Sequence, residues 1–297
     1  MLTLRQVKNQ VTKKQRELKI LLMEPATIPR KLMVNLTDDW QDKGWQSNWI
    51  INHKYKFIYC PILKVATTSM ATTMLLLSDC RYKEEIIEAG DKTIRSYVFS
   101  HLKLSNYRYQ EARQFIDDPS YFKFTIVRNP WSRLVSAYLD KFVIHKKTAI
   151  SSTKLIEDAV YEKAGIPVDR QKSVNFRQFV EYIMAKDENK LNAHWKPQNL
   201  FFEGVNFDFI GKLESLREDF AIVKDKLNLD IELPYSSARK ANYSQTEIDR
   251  TCYAEYYPQE LQQLAKLPKY KQFYNPELIA LTSEKYRQDI EQFGYEF

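Results

Sequence analysis

The chain has 297 residues, with 45 basic against 38 acidic side chains for a net charge of +7, 44% hydrophobic and 28% charged. That balance argues against a disordered chain, and the length admits one large domain or two small ones, each able to bury a core without help from a metal or disulfide. Three cysteines, Cys60, Cys80 and Cys252, are odd in number, widely spaced and lack a CxxC pair, which argues against a disulfide framework and favours a reducing compartment.

Residues 1–31 carry Arg5, Lys8, Lys13, Lys14, Arg16, Lys19, Arg30 and Lys31 against Glu17 and Glu24, so six of the seven net charges lie in this arm. Leu4, Val7, Val11, Leu18 and Leu22 recur at helical spacing, which fits a basic amphipathic helix meeting an anionic membrane or polymer. A surface helix with solvated charges is the plainer alternative. After Pro25 and Pro29 comes an irregular stretch holding Trp40, Trp45 and Trp49, and a globular pattern follows. The start lacks the apolar core and cleavage site of a secretory signal, so with Met1 as the native start a cytoplasmic protein is expected. The longest uncharged stretch, Val65 to Ser78, is only fourteen residues, short of the ~20 that a spanning helix needs.

Tyr55–Pro61 reads as a strand, Ile62–Lys64 as a loop, and Val65–Met70 as the start of a helix. That order exposes backbone N–H groups at a helix N-terminus, where an anion is favoured. Lys64 adds a mobile charge and Thr67, Thr68 and Ser69 add hydroxyls, a set suited to phosphate or sulfate. A Walker A loop is excluded because the segment contains no glycine. Tyr97–Ser100 reads as a further strand, which puts His101 at a strand's C-terminal end, where open α/β sheets bind ligands.

Tyr121–Val127 reads as the next strand, with Arg128 ending it, Asn129 as helix cap and Pro130 in the first turn. Trp131, Leu134, Val135, Tyr138, Leu139 and Phe142 form one apolar helical face, leaving Ser132, Arg133, Ser136 and Asp140 on a polar face. Arg128 offers a bidentate guanidinium and Ser136 a hydroxyl to the same anion, while Arg133 and Asp140 suit a solvated pair. Phe207–Gly211 is a strand leading to Glu214, and residues 255–261 and 272–278 start two successive helices with Pro. Arg239 and Lys240 form a basic loop that would reach a phosphate or an anionic acceptor, with plain solvation as its alternative. No metal-ligand spacing is present, and no metal or nucleic acid is expected.

Two segments, Cys60–Ser69 and Phe124–Tyr138, resemble the 5′-phosphosulfate and 3′-phosphate motifs of the family 2 carbohydrate sulfotransferases, relatives of the chondroitin and dermatan 4-O-sulfotransferases. His194-Trp-Lys-Pro197, Phe207–Glu214 and the ending Tyr286–Phe297 are similar to segments in the same order in that family, so the resemblance runs from about residue 52 to the end. It implies 3′-phosphoadenosine 5′-phosphosulfate (PAPS) as donor and a hydroxyl, expected on a sugar, as acceptor, and with no spanning stretch in the sequence a soluble form of these enzymes is expected. Lys64, Val65, Ala66, Thr67, Thr68, Ser69 and Met70 would hold the phosphosulfate, and Arg128 and Ser136 the 3′-phosphate. One departure is Leu63 before the loop lysine, where the family usually has Pro; the nearest Pro here is Pro61, and loss of the fixed φ would loosen the loop. Animal relatives are anchored in the Golgi membrane, which would apply here only to a longer chain.

The expected fold is α/β, similar in topology to the P-loop kinases, with a mainly parallel sheet flanked by helices and a helical C-terminal third. Residues 1–50 are expected as basic arm and lead-in, and 51–297 as a single sulfotransferase domain. A general base must take the acceptor proton. His101 ranks first on its strand-end position, His194 second on its motif, and Glu214 is the carboxylate to test next, while His53 and His145 read as surface residues. Two alternatives stand beside the sulfotransferase: a non-catalytic module binding anionic glycan or membrane, and a nucleotide phosphotransferase.

Overall fold

The computed structural model describes Trp40 and residues 44–146, 150–234 and 251–297. The arm at 1–31 and the loop with Arg239 and Lys240 lie outside the described residues. The chain divides into two compact units: the described residues of Met1–Ile62, Ala66–Ile126 and Phe201–Ser236 form one, and those of Leu63–Val65, Val127–Leu200 and Ser237–Phe297 form the other.

The first unit holds the sheet. Strands β1 (Ile50–Asn52) and β2 (Phe57–Cys60) pair antiparallel with Ile50 opposite Tyr59. β2 pairs in parallel with β3 (Phe122–Val127), Phe57 opposite Phe122 and Cys60 opposite Thr125. All four β2 residues are buried, as expected for an interior strand covered on both faces. A parallel pair needs a long crossover. The intervening chain supplies it as α1 (Thr67–Leu77), α2 (Lys83–Glu88), α3 (Asp91–His101) and α4 (Tyr109–Asp117), with α1 packed on α3.

The fourth strand, β4 (Phe209–Lys212), completes the order β1-β2-β3-β4 and leads to α8 (Leu216–Leu227). At Gly211 a Cβ would lie 2.8 Å from Ile126 Cδ1 and 3.0 Å from Asp219 Cβ, so a side chain there would push both neighbours aside. The α/β class with a mostly parallel sheet is therefore met.

One sequence expectation is corrected here. Tyr97–Ser100 is not a strand but the last part of α3. A four-residue apolar window has no decisive period; once Ile94 is included, buried residues fall at 94, 97 and 98, the spacing of a helical face. The helix starts cleanly because Gly90 adopts a φ of +94° and its carbonyl accepts from the N–H groups of Thr93 and Ile94, while Asp91 complements the dipole. His101 therefore sits at a helix C-terminus rather than at the mouth of a strand.

The second unit is helical. Asn129 Oδ1 accepts from the Ser132 N–H at 3.0 Å and Pro130 occupies the first turn of α5 (Pro130–Tyr138), as the sequence predicts. α5 runs on into an i→i+5 turn, Leu139–Ile144, then α6 (Ile150–Lys163) and α7 (Phe176–Met184). Tyr138 is buried among the rings of Phe142, Phe176, Phe179 and Phe273. The two Pro-started helices of the C-terminal third are α9 (Pro258–Gln263) and α10 (Pro276–Lys285), followed by α11 (Arg287–Phe293).

Candidate active site

In the second unit the short segment Leu63–Val65 is bound by two arginines of the α5 region. Arg128 Nη1 donates to the Lys64 carbonyl at 3.1 Å, and Arg133 Nε donates to the Leu63 carbonyl at 3.0 Å. Arg133 is 1% exposed and also donates to the carbonyls of Lys196 (2.7 Å) and Ala193 (3.0 Å). Burial pushes its guanidinium down to about 10, still protonated at neutral pH. The predicted solvated Arg133–Asp140 pair is thus corrected. Arg133 is spent on backbone carbonyls, and its bond to the Leu63 carbonyl holds the residue before Lys64.

Lys64 is the centre of the arrangement. Its backbone adopts a φ of +69°, a left-handed conformation that costs a non-glycine residue roughly 1–2 kcal/mol. Its Nζ lies 3.0 Å from Asp140 Oδ2, with both side chains largely buried. Asp140 also meets Lys141 at 3.6 Å and, through Oδ1, His145 Nδ1 at 2.8 Å. A buried carboxylate needs such partners. The sequence missed Asp140 as a site residue, and the i→i+5 turn after α5 was the signal that only the backbone shows.

Arg128 is also held by Ser132 and Gln198. Its Nε donates to Ser132 Oγ at 2.9 Å, its N–H donates to Gln198 Oε1 at 2.9 Å, and its carbonyl accepts from Gln198 Nε2 at 2.8 Å. Gln198 is fully buried, and its own N–H donates to Asp289. Burial raises the Asp289 carboxyl above its ordinary value, against the backbone N–H bonds from Gln198 and Asn199 that lower it. Ser132, not Ser136, is the hydroxyl that Arg128 touches; Ser136 is half-buried on α5.

His194 belongs to the same unit. Its Nδ1 pairs with Asn192 Oδ1 at 2.7 Å. Burial first, then the nearby charges of Lys141 and Lys64, push its imidazole down to about 3 from an ordinary 6.5, so it is neutral at physiological pH. The unfolded chain takes up a proton below pH 6.5 that the native site refuses down to about 3, so this residue makes stability fall as pH drops through that window. His194→Gln is expected to flatten that slope, read from urea midpoints measured between pH 7 and pH 4.

In the first unit, Thr67, Thr68 and Ser69 open α1 behind Ala66, whose φ is +42°. Arg95 Nη1 donates to Thr68 Oγ1 at 2.8 Å, a basic residue beside the hydroxyls that sequence reading did not single out. Met70 is buried and its N–H donates to the Ala66 carbonyl at 2.9 Å. His101 stacks on Tyr97 with ring centroids 4.4 Å apart and its Nδ1 donates to the Tyr97 carbonyl at 2.9 Å. Glu214 is exposed in the turn after β4. His53 is exposed as expected, though its Nε2 meets Tyr107 Oη at 2.8 Å.

One segment ends a strand in Arg128 and the other carries Lys64. The profile of the Sulfotransferase family matches residues 47–296. The chain belongs to the sulfotransferase family. Among individual relatives, carbohydrate sulfotransferase 12 of Xenopus laevis is 28% identical over 207 residues, covering 61% of this chain and 48% of the relative. Carbohydrate sulfotransferase 14 of Homo sapiens is 28% identical over 191 residues, covering 61% and 48%. Carbohydrate sulfotransferase 11 of Rattus norvegicus is 30% identical over 181 residues, covering 57% and 50%. The chain spans about half the length of the curated relatives it matches. No solved structure is matched. Among the described residues no helix is long and apolar enough to cross a membrane.

Proposed function

We propose that the protein transfers a sulfuryl group from PAPS to a hydroxyl of a carbohydrate by in-line displacement. The observation that carries this reading is the bond from Arg128 to the Lys64 carbonyl, which ties the cations of both motifs to one loop. Family membership and relatives named as carbohydrate sulfotransferases support it. Sulfuryl transfer asks a protein to align the attacking oxygen and to neutralise charge growing on the leaving phosphate. Lys64 supplies that charge, and the run from Lys64 to Met70 holds the phosphosulfate. Left-handed backbone at Lys64 and Ala66 does here what glycines do in a P-loop-like turn. Arg128, braced by Ser132 and Gln198, takes the 3′-phosphate together with Ser136.

Calorimetric titration with adenosine 3′,5′-bisphosphate, the desulfated product, against AMP tests the reading. The bisphosphate is expected to bind more tightly, and Arg128→Ala to weaken it by roughly 10–100-fold while AMP changes little. Equal affinity for the two nucleotides, or none, would overturn it in favour of an anion-binding module.

A further inference from the structure

The sequence ranks His101 and His194 as candidate bases; His101 ends a helix, and burial holds His194 neutral. The remaining histidine of the second unit, His145, reads from sequence as a surface residue in a Lys-rich stretch, and it is exposed in the structure.

The structure adds a partner to that exposed position. In a regular α-helix residues five apart point roughly 140° away from each other. The i→i+5 turn after α5 changes that: the His145 N–H donates to the Asp140 carbonyl at 2.9 Å, and the two side chains meet at 2.8 Å, Nδ1 to Oδ1. An ionised carboxylate only accepts, so Nδ1 carries the hydrogen, and in the neutral imidazole the lone pair is then on Nε2. The other oxygen of the same carboxylate holds Lys64 Nζ at 3.0 Å. Asp140 is largely buried, whereas 54% of the His145 side chain is exposed. One buried carboxylate therefore orients both a half-exposed imidazole and the lysine of the donor loop, the arrangement in which a third group fixes the base.

We propose that His145 is the general base of the transfer and that Asp140 is the positioning residue for both His145 and Lys64. The inference rests on the sulfotransferase reading. The acceptor hydroxyl gives its proton to His145 Nε2 as its oxygen forms the new bond to sulfur. The bond from sulfur to the donor's phosphate oxygen breaks, and its electron pair leaves on that oxygen, where Lys64 meets the charge. The proton on His145 then passes to solvent, so each turnover yields the sulfated acceptor, adenosine 3′,5′-bisphosphate and one proton.

Two measurements on the full chain test this. Imidazole ¹⁵N NMR should show His145 with its hydrogen on Nδ1, lost as the dominant form in Asp140→Ala; a hydrogen on Nε2 in the wild type would overturn the proposal. Radiolabelled sulfate transfer from PAPS to desulfated chondroitin, the probe acceptor, should fall at least a hundredfold in kcat in His145→Ala, with donor KM within threefold and partial rescue by added imidazole. Asp140→Ala should lower kcat and raise donor KM together, without rescue by imidazole. His145→Ala turnover within threefold of wild type would overturn the base assignment. Failure of the sulfotransferase reading has a separate signature, the absence of selective bisphosphate binding by the wild type.

Discussion

Lys64→Met is expected to reduce kcat for sulfate transfer by roughly 10³-fold, the scale seen when a preorganised group aimed at developing charge is removed. The loss follows from where the ammonium is held. Asp140 fixes Lys64 Nζ at 3.0 Å in a largely buried setting, where the charge is less screened than in water. Met keeps the length and apolar stem, so packing along the loop survives. Asp140 retains His145 at 2.8 Å and Lys141 at 3.6 Å, which keeps its carboxylate compensated when the lysine is lost. The variant should therefore fold and still bind adenosine 3′,5′-bisphosphate through Arg128, with affinity reduced far less than turnover. Single-turnover transfer compared with calorimetric affinity separates the two effects. A loss confined to donor affinity, with kcat unchanged, would show that Lys64 binds the ground state only.

Much of this site is written locally in the chain. The aromatic alternation of β2, the Asn129-Pro130 start of α5 and the Pro starts of α9 and α10 are each decided within a few residues, by burial on both strand faces or by a cap that needs only its own turn. The motif residues Lys64 and Arg128 are legible for the same reason: each ends or follows a readable strand. What could not be read depends on partners far along the chain. Arg133 and Asp140 look alike as polar positions on one helix, yet one is consumed by carbonyls at 63, 193 and 196 and the other by Lys64, more than seventy residues earlier. His145 was hidden by a change of helical period that side-chain pattern does not announce. Tyr97–Ser100 failed for the opposite reason: too short a window was asked to decide between two periods.

Arg133→Met is expected to destabilise the protein by about 3–5 kcal/mol, a large share of the ~5–15 kcal/mol typical of a folded domain. Met removes the cost of burying a charge, which offsets part of the loss. It leaves the carbonyls of Leu63, Ala193 and Lys196 without the donors that satisfied them, each at about 1–3 kcal/mol when buried. A single ammonium cannot replace three donors in a planar fork, so Arg133→Lys should recover only part of the difference. Urea midpoints of the three proteins measure it, and a Met variant within 1 kcal/mol of wild type would show that those carbonyls find other partners. The consequence reaches the chemistry as well. The same guanidinium that stabilises the fold joins the Leu63 carbonyl, beside Lys64, to the loop carrying His194. Arg133→Lys, folded at low temperature, should therefore lose donor affinity while its remaining stability is still ample, because the Arg133 bond to the Leu63 carbonyl lies next to the left-handed turn at Lys64.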